Sequence, residues 1–122
     1  MKKITNFKQI KEIIEPIPAD MFIAGTLGKN HGRSCFIGHI HRKLNKSKKI
    51  LGIIPINDPT DYEGDSKGYG ALELTEKFLK EKHGIIASGI FVNDTRSVNG
   101  YNEPVIKDRL MHMINDAIEA GY

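Results

Sequence analysis

The chain reads as an α/β (α+β) protein, a small central sheet flanked by helices, and three observations predict it. Amphipathic stretches of helical period alternate with short apolar runs of strand composition. Glycine- or proline-bearing turns separate them. With 122 residues, 39% hydrophobic and 27% charged, the chain has the make-up of one ordinary domain, residues 1–122, around a single core.

Thr5 or Asn6 caps a first helix whose Phe7, Ile10, Ile13, Ile14 and Ile17 recur at helical spacing, and Pro16 and Pro18 end it. Residues 21–26 (MFIAGT) form a short apolar run, read as a strand that opens into a glycine-rich turn. From about Arg33, the residues Phe36, Ile37, Ile40 and Leu44 mark one face of a second helix. Residues 50–56 (ILGIIPI) have strand composition, but Pro55 confines them to an edge or a strand end. A polar loop over 57–70 follows. The third helix runs from about Ala71 to Lys82 with Leu72, Leu74, Thr75, Phe78 and Leu79 inward, and Gly84 stops it. Residues 85–92 (IIASGIFV) read as the central strand, short and apolar. The last helix has Glu103 and Pro104 near its start and a stripe of Ile106, Leu110, Met113, Ile114, Ala117 and Ile118.

Composition bounds the location and the partners. Cys35 stands alone, so no intramolecular disulfide forms, and a reducing, cytoplasmic setting is expected. Residues 4–14 mix apolar side chains with Lys, Gln and Glu, unlike a signal peptide or a membrane span. The net charge of +3 suits nucleotides, phosphates or nucleic acid without choosing among them. Five of the eight residues 42–49 are basic, and Asp58, Asp61, Glu63 and Asp65 make the next loop acidic. Two solvated loops of opposite sign explain this. A nucleic-acid patch would also want interleaved aromatics, and none lies between Ile37 and Pro59.

Two segments carry candidate chemistry. Residues 25–34 (GTLGKNHGRS) combine three glycines with Lys29, Arg33 and a hydroxyl between a predicted strand and a helix, the setting of an anion-cradling loop. The spacing is not that of a Walker loop, and a plain strand-to-helix turn explains it equally. Residues 91–103 (FVNDTRSVNGYNE) place polar groups just beyond an apolar run, where α/β folds bind ligands. There Asn93 offers an amide for a base edge, Asp94 an acceptor for ribose hydroxyls, and Arg96 a fork for phosphate. The same residue types also form ordinary turns. Arg109 lies at the edge of the last helix's apolar stripe, bordering a pocket or reaching water.

Other chemistry is weaker. His39 and His41 stand two apart on a helix and face different ways, so no shared metal is expected. Cys35 at a helix start reads as a small buried hydrophobe rather than a nucleophile. No cofactor or metal is implied, and no acid–base pair is evident.

Residues 32–45 (GRSCFIGHIHRKLN) and 88–118 (SGIFVNDTRSVNGYNEPVIKDRLMHMINDAI) resemble the first family of Thoeris anti-defence proteins. These small phage proteins bind and sequester cyclic ADP-ribose isomers made by bacterial immune enzymes, and some also hold cyclic oligonucleotides. The resemblance implies a homo-oligomer assembled through its N- and C-terminal helices, cytoplasmic in an infected or lysogenic host, with no catalysis. It implies ligand contacts from Asn93 and Arg109, with Asp94, Thr95 and Arg96 completing the wall. Arg33 is a further anion contact, and Phe91, Tyr101, Phe36 and His83 are candidates for the stacking aromatic. Two other readings stand beside this one. A small nucleotide hydrolase or phosphodiesterase would use His31, His39 or Asp94, and a nucleic-acid module would work through residues 42–49.

Overall fold

Asn6 starts helix α1 (Phe7–Ile14) with a reciprocal capping box: its side chain accepts from the Gln9 N–H at 3.0 Å, and the Gln9 side chain accepts from the Asn6 N–H at 3.3 Å. Phe7, Ile10 and Ile14 then fall on one buried face. A 3-10 turn (Ala19–Met21) leads to the glycine-rich segment. Helix α2 (Phe36–Asn45) buries Phe36, Ile37 and Ile40. Helix α3 (Ala71–His83) ends at Gly84, whose φ of 66° is the left-handed conformation that closes a helix, with Gly84 N–H donating to Lys80 C=O at 3.0 Å. The short helix α4 (Gly89–Asp94) and the long helix α5 (Ile106–Glu119) complete the order.

The computed structural model describes residues 3–25, 32–45 and 70–122. Among these residues it is helical, with no strand and no sheet, which corrects the expected α/β architecture. Residues 21–26 were the first predicted strand. Phe22 makes one isolated parallel bridge to Ser34, with Ser34 N–H donating to Met21 C=O at 3.0 Å and Ile23 N–H to Ser34 C=O at 3.1 Å. One bridge does not extend into a ladder. The predicted central strand at 85–92 is instead an irregular segment, extended at Ser88, followed by α4. Ser88 caps that helix, its hydroxyl accepting from the Ile90 N–H at 3.3 Å. The Gly89 N–H donates to the Thr75 hydroxyl at 2.9 Å, so this backbone group is satisfied by α3 and not by a neighbouring strand. Gly89 also lies against the Phe36 ring, which only a residue without a side chain allows. The predicted strand at 50–56, most of the loop at 57–70, and Lys29 and His31 lie outside the described residues.

Helix α1 packs on α5, α5 on α4, and α2 against both α1 and α4. The apolar faces of α1 and α5 are therefore used on each other within one chain. Leu110, Met113, Ile114 and Ala117 meet the side of the core that holds Phe7, Ile10 and Ile14. Phe78 of α3 stacks edge-on with both Phe7 (5.6 Å) and Tyr122 (5.3 Å), and the Tyr122 C=O accepts from the Phe7 N–H at 3.0 Å. Lys107 closes the other end of α1, its ammonium donating to the Glu15 C=O at 2.7 Å. Among the described residues no helix is long and apolar enough to cross a membrane.

Candidate functional site

The first residue of the glycine-rich segment meets the second segment in space; residues 26–31 lie outside the described residues. The Gly25 N–H, at the mouth of the glycine-rich segment, donates to Asp94 Oδ1 at 3.2 Å across a separation of 69 residues. Asn93 makes the junction rigid. Its Oδ1 accepts from the Phe36 N–H at 3.0 Å, and its Nδ2 donates to Ile23 C=O at 2.9 Å and to Asp94 Oδ1 at 2.7 Å. One amide thus satisfies a first-turn donor of α2 and fastens residue 23 to the end of α4. It is 0% exposed, with both donors occupied.

Arg109 of α5 performs the matching task below. Its Nε donates to Val92 C=O at 2.9 Å, and a terminal nitrogen to Asn93 C=O at 2.7 Å. The other terminal nitrogen donates to Glu103 C=O at 2.7 Å and to Pro104 C=O at 3.2 Å. The guanidinium collects two carbonyls left open at the C-terminus of α4, where a cation is favoured, and two from the segment that leads into α5. It is 4% exposed, and burial, then the nearby Arg96, lowers its pKa from the ordinary arginine value. Asn93 and Arg109 are therefore scaffold groups whose polar atoms are taken up by the main chain and, for Asn93, by Asp94 as well.

The exposed members lie just beyond this knot. Asp94 is half-buried, with Oδ1 held as described. Thr95 is exposed, and its hydroxyl donates to Phe91 C=O at 2.7 Å. Arg96 is exposed; its Nε donates to Asn102 C=O at 3.0 Å, which orients the guanidinium, while its terminal nitrogens make no hydrogen bond to another of the described residues. Ser97 and Asn99 adopt left-handed φ values of 83° and 51°, turning the chain so that the Asn102 carbonyl returns to Arg96. Arg33 is exposed beside Gly32. Phe91 is not part of this cluster: two residues from Asn93 on α4, it projects from the opposite side of the helix.

The groups considered for catalysis are tied up. His39 is buried, its Nε2 lies 2.8 Å from Met21 C=O, and its ring packs 4.6 Å from Phe22. Burial lowers its pKa to about 4, so near neutrality the ring is uncharged. Burial also pushes the Cys35 thiol up to about 11, which keeps it protonated. Among the described residues no group of three or more His, Cys, Asp or Glu side chains is placed to hold a metal ion.

A second polar cluster escaped the sequence reading. The buried Tyr101 donates its hydroxyl to Asp116 Oδ2 at 3.0 Å, and His112 Nδ1 lies 2.9 Å from Glu103 Oε2. It anchors the 97–104 loop to α5, and the spacing of His112 and Asp116, four apart, was its available signal. Compared with protein-family models, with characterised proteins and with solved structures, the chain shows no match.

Proposed function

We propose that the chain binds a small anionic nucleotide of the cyclic ADP-ribose class on the outer side of this junction and retains it unchanged. The observation that carries the reading is the Gly25–Asp94 hydrogen bond, which brings the start of the glycine-rich segment to the Asp94–Arg96 turn. Arg96, oriented through Nε, offers its two terminal nitrogens to a phosphate; the exposed Arg33, followed by the buried Ser34 at the approach to α2, is the second cation we propose for it. Asp94 accepts from a ribose hydroxyl, and Thr95 adds an acceptor. Asn93 and Arg109 act one layer below, as positioning residues. Sequestration needs affinity alone, and rigid support beneath the contact groups reduces the ordering cost of binding.

The resemblance to anti-defence proteins supports the same reading: a protein acting in the cytoplasm of an infected or lysogenic bacterial host, with cyclic oligonucleotides as a second ligand class. The buried, uncharged His39 and protonated Cys35 are poorly suited to acid–base or nucleophilic work. The test is to incubate the protein with a cyclic ADP-ribose isomer, remove free ligand, heat-denature the protein and identify the released compound by mass spectrometry. Recovery of the intact ligand is expected. A cleaved product would make the protein a hydrolase, and absence of depletion would end the nucleotide reading.

A further inference from the structure

The segment between Arg96 and α5 is tied down on both sides of one carbonyl. That carbonyl belongs to Asn102, accepts from Arg96 Nε at 3.0 Å and sets the plane of the guanidinium. Asn102 is exposed, but the residues on either side of it are held by α5. Tyr101 is 1% exposed, and its hydroxyl donates to Asp116 Oδ2 at 3.0 Å. Glu103 Oε2 lies 2.9 Å from His112 Nδ1, and the rings of Tyr101 and His112 meet edge-on at 4.6 Å. His112 and Asp116, one turn apart on α5, therefore grip residues 103 and 101 and leave the carbonyl between them turned to Arg96.

A chain reversal alone needs less than this. Ser97 N–H donates to Tyr101 C=O at 3.1 Å and Tyr101 N–H to Val98 C=O at 2.9 Å, which already closes the turn. The side-chain ties do something more: they fasten the closed turn to a long helix, so that it cannot swing as a unit. An arginine gives up rotational freedom when it grips an anion, and one already held through Nε has less to give up.

We infer that Tyr101 and His112 are positioning residues for the anion contact, holding Arg96 through Asn102 C=O with its terminal nitrogens presented to a phosphate. The inference rests on the reading of Arg96 as a ligand contact, and it gives neither ring a contact of its own with the ligand.

Tyr101→Phe and His112→Phe each keep an aromatic ring and remove one tie. His112 is exposed, so its replacement leaves the core untouched. The first readout needs no ligand: in isotope-labelled protein, the Arg96 Nε–H resonance, identified by its loss in Arg96→Ala, should exchange with water several-fold faster in both variants than in wild type. The second is calorimetric titration with a cyclic ADP-ribose isomer. Each variant should bind about three- to tenfold more weakly, the worth of one neutral hydrogen bond. In an Arg96→Ala background the same two changes should have no further effect, because they act through Arg96.

Unchanged Nε–H exchange in both variants would overturn the inference. So would losses of affinity as large in the Arg96→Ala background as in wild type, which is what a general loosening of the fold would give. A wild-type protein that takes up no cyclic ADP-ribose isomer, while both variants show the faster exchange, would end the nucleotide reading and uphold the positioning of the guanidinium.

Discussion

Replacing Asn93 by leucine keeps the branching of the side chain, though with bulkier methyls, and removes every polar atom, which separates a scaffold role from a ligand contact. The change leaves the Phe36 N–H and the Ile23 C=O without their partners and deletes the bond to Asp94. An unsatisfied buried main-chain group costs about 1–3 kcal/mol. The Phe36 N–H lies at a fully buried residue, so it takes the upper part of that range, while Ile23 is half-buried and partly hydrates. The net loss is about 2–4 kcal/mol, a large share of a typical domain stability of about 5–15 kcal/mol. Urea unfolding followed by circular dichroism reads this as a midpoint lowered by about 1–2 M with an unchanged slope. If the midpoint stays within about 0.3 M while ligand binding disappears, Asn93 is a contact residue and the scaffold argument is wrong.

Three further outcomes follow from the packing and the buried groups. Gly89→Ala places a Cβ 2.6 Å from Phe36 Cε1, so it should destabilise by about 1–3 kcal/mol through overpacking, seen as a lower Tm. His39 titrates near 4 in the folded protein against an ordinary 6.5, so the unfolded chain takes the proton first. Its contribution is complete above pH 6.5 and is lost as pH falls through 4, by about 3 kcal/mol in all. Urea midpoints for wild type and His39→Gln across that window should show the smaller decline in the variant. Cys35, buried with its thiol held protonated, should react with a thiol reagent at pH 8 only at the rate of unfolding. Fast labelling of the folded protein would contradict that.

Helices were legible where period and punctuation agreed. Phe7, Ile10 and Ile14 share a face behind the Asn6 cap, and the predicted end of α3 at Gly84 coincides with a left-handed residue. The misread runs were those of 85–92 and 21–26. A short apolar run has no period to distinguish a buried strand from a buried helical turn, and the deciding contacts are distant in sequence. Thr75 receives the Gly89 N–H and Phe36 fills the space beside Gly89, and neither is visible from residues 85–92 alone. Asn93, Asp94 and Arg109 stood out by type and position. Their division of labour did not, because an arginine at the edge of an apolar stripe looks the same whether it borders a pocket or binds four carbonyls beneath one. The carbonyls that decide it belong to residues 92, 93, 103 and 104.

Calorimetric titration of wild type and Arg96→Ala with a cyclic ADP-ribose isomer, alongside their thermal melts, goes straight to the claim that an exposed arginine on a buried polar knot holds the ligand. Arg96 is exposed and its side chain is held by a bond to a loop carbonyl, so its removal should leave stability within about 0.5 kcal/mol. Binding should weaken by a factor of about 10 to 100, the worth of a charge-assisted contact of about 1.5–3 kcal/mol. Equal affinity in the two proteins would contradict the account, and the ligand would then have to be sought away from the Asp94–Arg96 turn.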